Sequence, residues 1–104
     1  RAIGALKLTG MSARLMTLVD APAPALRRAA VRALGALRDA EAYEHLVALY
    51  QQDKALQRRS DAALREDLVV AIGRIGGRRS MPFLVDAMAD PDLNVRLAAQ
   101  RQLQ

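Results

Sequence analysis

Cysteine is absent from the 104 residues, which excludes disulfides and thiolate metal sites. Tryptophan is absent too, and one Phe with two Tyr leaves aromatics at 3%. Since 52% of the residues are hydrophobic, the core must be Ala, Leu, Val and Ile, side chains small enough to let helices approach closely. No run of about 18 apolar residues occurs, so no membrane span is encoded. No alternating strand pattern occurs either, which leaves an all-α chain with short loops and antiparallel neighbours. With no cysteine framework and no apolar span, a reducing, cytoplasmic setting is expected. His45 is the sole histidine, and one His among scattered Ser residues gives no basis for a nucleophilic triad.

Charge of both signs is present but unbalanced. The net charge is +5, and Arg outnumbers Lys fourteen to two. Such a surface keeps copies apart in solution, or draws the chain to nucleic acid or an acidic protein segment. Abundant Arg with abundant Ala also marks GC-rich, bacterial-type coding, which lowers the weight of any single Arg.

Helix signals recur along the chain. Residues 1–8 read as the end of a helix, with Thr9-Gly10 as its stop. Ser12 is a candidate N-cap for a short helix to Val19 carrying Leu15, Met16 and Leu18. Asp20-Ala21-Pro22-Ala23-Pro24 interrupts. The next helix, about 25–37, shows an apolar face of Leu26, Ala29, Ala30, Ala33, Leu34 and Leu37. Asp39 can cap a helix carrying Leu46, Val47, Leu49 and Tyr50. A polar stretch over 51–60 follows, then a helix from Ser60 or Asp61 to Gly76-Gly77. Ser80 is a candidate cap for a further helix with Pro82 in its first turn. After Asp90-Pro91-Asp92 a last helix carries Val95, Ala98, Ala99 and Leu103.

Spacing turns these segments into a repeat. Gly4, Gly35, Gly73 and Gln104 recur at steps of 31, 38 and 31 residues, and Leu15, Leu46 and Leu84 at steps of 31 and 38. Both series lengthen by seven residues over the same interval, which places an insertion within 51–63. A period of this size marks an α-solenoid of stacked helix pairs, in which each pair borrows part of its core from its neighbours.

The turn-and-helix run Asp90-Pro91-Asp92-Leu93-Asn94-Val95-Arg96-Leu97-Ala98-Ala99 resembles the HEAT-repeat family, in particular HEAT-like repeats of the phycobilisome-lyase type. Leu26-Arg27 with Ala33-Leu34-Gly35, and Leu64-Arg65 with Ala71-Ile72-Gly73, carry the same resemblance over nearly the whole chain. It implies three units, about 12–37, 41–76 and 80–104, with residues 1–8 as the second helix of a preceding unit. The single domain 1–104 is then a fragment of a longer array. The resemblance implies a convex layer of first (A) helices and a concave layer of second (B) helices. It also implies that Arg27, Arg65 and Arg96, one repeat position, form a structural ladder to turn acids or helix-end carbonyls, with Asp20 and Asp90 as partners and Asp53 or Asp61 substituting in unit two.

A second set of residues faces outward from the B helices. Arg28, Glu66 and Leu97 share one row, and Arg32, Val70 and Arg101 another, which Arg1 extends. Equivalent residues on stacked helices lie roughly 10 Å apart, and Arg38 and Arg74 add charge nearby. The expected binding surface is therefore Arg28, Arg32, Arg38, Val70, Arg74 and Arg101, with Lys54, Arg58 and Arg59 as a second candidate on the insertion edge. Gly35 and Gly73 are packing positions. The run Gly73-Arg74-Ile75-Gly76-Gly77 lacks the Lys-Ser/Thr ending of a phosphate loop.

No catalytic residue, cofactor or metal ligand is assigned. HEAT-like metalloenzymes hold iron through repeated His-Glu pairs, whereas Glu44-His45 occurs once in the reverse order. The expected function is a non-catalytic scaffold binding another protein through an acidic or amphipathic segment. Nucleic acid is the alternative partner, since some DNA glycosylases use HEAT-like repeats, although few aromatics are present for base stacking. A lyase-type enzyme subunit ranks third, because the resemblance permits it and no motif specifies it.

Overall fold

The computed structural model describes residues 2–104, with side chains from Gly10 onward. Among the described residues there are helices and no strands. The helices are α1 (Ala2–Leu18), α2 (Pro24–Leu37), α3 (Tyr43–Ala55), α4 (Ala62–Gly76), α5 (Met81–Ala87) and α6 (Leu93–Leu103). The B helices α2, α4 and α6 lie side by side, and each packs on its own A helix, α1, α3 or α5. The result is the expected all-α solenoid, 43 × 31 × 17 Å in extent. Leu34, Leu46, Leu68, Val69, Ile72 and Val95 are wholly inaccessible.

Local chemistry sets each B-helix start. Pro24 opens α2 in the first turn, where its missing N–H is not needed. The Asp61 carboxylate accepts the Leu64 amide at 3.1 Å to open α4, and Asp92 accepts those of Asn94 and Val95 at 2.9 and 3.2 Å to open α6. Pro24, Ala62 and Leu93 reproduce the steps of 38 and 31 residues. The B helices therefore keep register, and the insertion lies wholly before α4. It is built as helix: α3 has 13 residues against seven in α5, followed by a 3-10 turn at Gln57–Arg59. At the other ends, Gly77 takes φ +54° after α4. Arg38 closes α2 at φ 53° and ψ 46°, with the Arg38 and Asp39 amides on the Gly35 and Leu34 carbonyls at 3.1 and 3.3 Å.

Three expectations change. First, α1 runs straight through Thr9-Gly10, so residues 2–8 continue that helix instead of forming one of their own. A helical Gly costs about 1 kcal/mol relative to Ala, less than leaving a turn of backbone groups unpaired. Second, α2 buries Ala30, Val31, Leu34 and Gly35, one position round from the predicted stripe. Leu26 is 50% and Leu37 38% exposed, because α2 packs against α1 and α4 with its other faces and no other described helix lies on the Leu26 side. Third, Ser80 does not cap α5. It sits in a 3-10 turn, Gly77–Ser80, and its hydroxyl donates to the Gly77 carbonyl at 2.6 Å. Arg1 of the outward row lies outside the described residues.

The packing role of Gly35 is explicit. A Cβ there would meet Ala71 Cα at 2.8 Å and its Cβ at 2.9 Å, whereas one on Gly10 would meet nothing within 4 Å. Gly35→Ala should therefore lower stability by about 1–3 kcal/mol through overpacking, and Gly10→Ala should raise it by up to about 1 kcal/mol. Urea denaturation measures both. A destabilised Gly10→Ala would restore the helix stop at Gly10.

Candidate functional site

Arg65, 3% exposed on α4, makes three hydrogen bonds through its guanidinium. Its Nε and Nη2 donate to Asp90 Oδ2 and Oδ1 at 2.9 and 3.1 Å, and its Nη1 donates to Asp53 Oδ2 at 2.8 Å. A planar guanidinium suits this fork on one carboxylate and third bond on another. Asp53 also accepts the Asp61 amide at 3.0 Å, and Asp90 accepts the Asp92 amide at 2.9 Å and the Tyr50 hydroxyl at 2.6 Å. Asp61 and Asp92 are the N-caps of α4 and α6, so each buried acid holds the entrance to one B helix. Arg65 thus ties the turn of unit two to that of unit three. Tyr50 adds an edge-on contact to Phe83, centroids 4.9 Å apart.

Protonation follows from these bonds. Burial pushes the Asp90 pKa up, but the Arg65 and Tyr50 hydrogen bonds outweigh it and hold the group below its ordinary 3.8. Burial pulls the Arg65 pKa down, and its two carboxylate partners overcome this and raise it. The Tyr50 hydroxyl is pushed up, by burial first and then by its bond to Asp90.

The predicted ladder therefore holds at two of its three positions. Arg96 donates from Nη1 to the carbonyls of Asp90 and Pro91 at 2.8 and 3.1 Å. Asp53 supplies the substitute acid in unit two. Arg27 does not join: its Nε is buried without a partner, and it borders a cavity of about 230 Å³ with Val19, Leu49 and Leu64. Asp20 turns instead toward His45, with Nε2 and Oδ2 3.3 Å apart.

The outward row on the B helices is partly neutralised. Arg28 Nε and Arg32 Nη1 both reach Asp67 Oδ2 at 3.0 Å, and the Arg28 pKa is raised chiefly by that hydrogen bond. Asp67 was not among the predicted residues. The signal was its row, where units one and three carry Ala29 and Ala98. Arg38 Nη1 reaches the Arg74 carbonyl at 3.4 Å. Arg32, Gly35, Asp67, Val70, Ala71 and Arg74 together line a groove of about 170 Å³ between α2 and α4. Arg101 is exposed on α6 and lies apart from this groove. On the insertion edge, Arg58 and Arg59 are exposed in the 3-10 turn. Lys54 is half-buried on α3, its Nζ 6.0 Å from the Tyr50 ring centre.

A larger opening, about 440 Å³, lies between α1 and the α2–α3 connection and is lined by Ser12, Met16, Leu37 and Asp39 among others. Ser12 is 31 residues before Tyr43, the equivalent position. Tyr43 fills that space in unit two, donating from its hydroxyl to the Arg79 carbonyl at 3.5 Å beneath the Arg79 guanidinium. Among the described residues no cluster of three or more His, Cys, Asp or Glu is placed to hold a metal ion.

Arg65→Ala leaves two buried carboxylates without a counter-charge and should cost about 3–5 kcal/mol. Arg65→Lys should recover only part of this, since an ammonium cannot present the planar fork. Asp90 has a lower pKa folded than unfolded, so its contribution is present above 3.8 and is lost as pH falls below that value. Melting temperatures followed into that acid range should drop for the parent chain and change less for Asp90→Asn.

The sequence pattern that defines HEAT repeats matches residues 1–64. Among curated proteins, none matches the chain. No helix among the described residues is long and apolar enough to cross a membrane. With the paired-helix fold and the match over more than half its length, the chain belongs to the HEAT-repeat family, whose repeats generally mediate protein–protein interaction and are typically non-catalytic.

Proposed function

We propose that this chain is a protein-interaction module whose B-helix face receives an acidic amphipathic helix from another protein. The α2–α4 groove carries the reading. Gly35, Val70 and Ala71 give it an apolar lining, and Arg32 and Arg74 line it with Asp67. The Arg32 side chain is 55% exposed despite its bond to Asp67. Exposed pairs of this kind are worth about 0–1 kcal/mol, so an incoming carboxylate can share or replace Asp67 at little expense. Arg38 extends the positive rim through its bond to the Arg74 carbonyl, while Arg28 supports the groove through Asp67; Arg101 adds charge elsewhere on the B layer. The insertion edge is the weaker surface, because Lys54 is half-buried against Tyr50.

Nucleic-acid binding has less support. Tyr43, Tyr50 and Phe83 are all buried, and base stacking needs accessible rings. The module reading also takes the chain as three stacked helix pairs acting as one continuous surface.

Fluorescence anisotropy with a labelled Glu-rich amphipathic helical peptide tests the groove. Binding should weaken at least tenfold, about 1.4 kcal/mol, in the double variant Arg32→Glu/Arg74→Glu, whose circular dichroism spectrum at the assay temperature should remain that of the folded helical chain. Equal binding by parent and variant would overturn the groove assignment. Tighter binding of a labelled DNA duplex than of the peptide at physiological salt would favour nucleic acid instead.

A further inference from the structure

Arg27 is the ladder arginine whose buried Nε has no partner. The two turns that it faces by register, over 19–24 and 51–61, both lie within the described chain. Neither supplies an acceptor to that nitrogen. In the first, Asp20 is turned toward His45. In the second, both oxygens of Asp53 accept the Asp61 amide, and Oδ2 accepts Arg65 as well. Repeat register explains the gap. Arg65 holds Asp90 on its Nε edge, and the residue 38 before Asp90 is Gln52, an exposed, uncharged amide. The edge that carries a carboxylate in Arg65 is therefore bare in Arg27. A buried charged donor left without an acceptor is costly.

The cavity of about 230 Å³ that Arg27 borders is walled by Val19, Leu49, Leu56 and Leu64. Leu56 is 55% exposed and belongs to the inserted segment, so the insertion adds an aliphatic wall that unit three lacks. One guanidinium among four aliphatic side chains suits an anion that carries its own hydrocarbon. A phosphate would press its remaining oxygens against Leu and Val, where they find no donors. The volume is below the roughly 300–1,000 Å³ of sites that take drug-sized ligands, which limits the hydrocarbon to a short chain.

We infer that this cavity binds a carboxylate on a short aliphatic chain, the carboxylate on the Nε edge of Arg27 and the chain against Leu49, Leu56 and Leu64. The ligand supplies the acid that register leaves out at Gln52. It forms at the junction of units one and two the planar fork that Asp90 forms with Arg65 at the next junction. Asp53 also borders the cavity, but its oxygens are already bonded and leave Arg27 to the ligand. A free short-chain fatty acid and the C-terminus of a peptide ending in Leu or Val share this chemistry.

Titration of the isotope-labelled full chain with sodium hexanoate, followed by its amide signals in NMR spectra, tests the inference. The amides of Arg27, Leu49 and Leu64 should shift to saturation. Hexanoate should bind at least tenfold tighter than acetate, which lacks the hydrocarbon, and than 1-hexanol, which lacks the charge. Saturating hexanoate should also raise the melting temperature, since it binds the folded chain. Arg27→Met keeps an unbranched stem without the donors and should weaken hexanoate at least tenfold. Leu56→Ser, at an exposed position, should weaken hexanoate and leave acetate unchanged. Circular dichroism spectra establish that both variants fold. A short peptide ending in leucine separates the two sources. Tighter binding of its free-acid form than of hexanoate, lost on amidation, assigns the terminus of a partner chain, and tighter binding of hexanoate assigns a free acid. No saturable shift, shifts centred away from the cavity, acetate or hexanol binding as tightly as hexanoate, or undiminished binding by Arg27→Met would each overturn the proposal. Neither variant touches the α2–α4 groove, so binding of the Glu-rich helix there is read separately.

Discussion

One guanidinium between two buried carboxylates fixes the geometry of this molecule. Arg65 cannot be moved without stranding charge, because Asp53 and Asp90 are 6% and 1% exposed and unpaired buried charges are severely destabilising. Three formal charges sum to one excess negative charge, spread over amide donors and the Tyr50 hydroxyl. Each acid also holds the N-cap residue of a B helix, so the clamp positions α4 and α6 together. This accounts for the long α3. In unit three the acid and the cap it holds, Asp90 and Asp92, are two residues apart. In unit two Asp53 and Asp61 are eight apart, with the last two residues of α3 and the 3-10 turn looped out between them. The insertion leaves the clamp intact because the extra residues lie outside it.

Two populations of arginine follow from the clamp. Arg65 and Arg96 point into the turns, where Arg65 is matched by buried carboxylates and Arg96 is bonded to backbone carbonyls. Arg32, Arg74 and Arg101 point away from the turns, on the surface of the B layer. Composition merges the two populations into one basic chain with a net charge of +5, and Asp67 lowers the available charge again by engaging both Arg28 and Arg32. The accessible positive field is thus narrower than the net charge implies. It is concentrated at a groove with an apolar wall, which fits a helix carrying both acidic and apolar side chains better than a uniformly charged polymer.

Repeat spacing made most of the fold legible, since register between units determines which positions face one another. It located the helices, the insertion and the close packing at Gly35 and Gly73, where the facing residues, Ala71 and Gln102, are themselves one repeat apart. The family resemblance added Arg65 as part of a ladder and offered Asp53 or Asp61 as its partner. What spacing missed depends on neighbours. The face of α2 was misread at Leu26, because apolar periodicity cannot tell a core position from one awaiting a neighbour. Gly10 was misread as a stop, since a Gly in a helix and a Gly after one are the same letter until φ is known. Asp67 was missed because it lies between two predicted Arg rows and breaks the repeat, appearing in unit two alone.

The same reasoning shows that the two internal junctions are unequal. Units two and three share the Arg65 clamp, the Tyr50–Phe83 contact and the Tyr43 ring under Arg79. Units one and two have none of these: Arg27 has no acid, Ser12 leaves unfilled the space Tyr43 takes, and Asp20 meets His45 at an exposed edge. Their junction depends instead on the Gly35–Ala71 approach and on the pairs that Arg28 and Arg32 make with Asp67. In a solenoid, stability is approximately a sum over units and junctions, and the weakest junction opens first. That junction, α2 against α4, is also the wall-to-wall contact that forms the Arg32–Arg74 groove. The proposed binding surface therefore lies across the most yielding seam in the molecule, where a helix spanning both sides would brace unit one against unit two as well as bind.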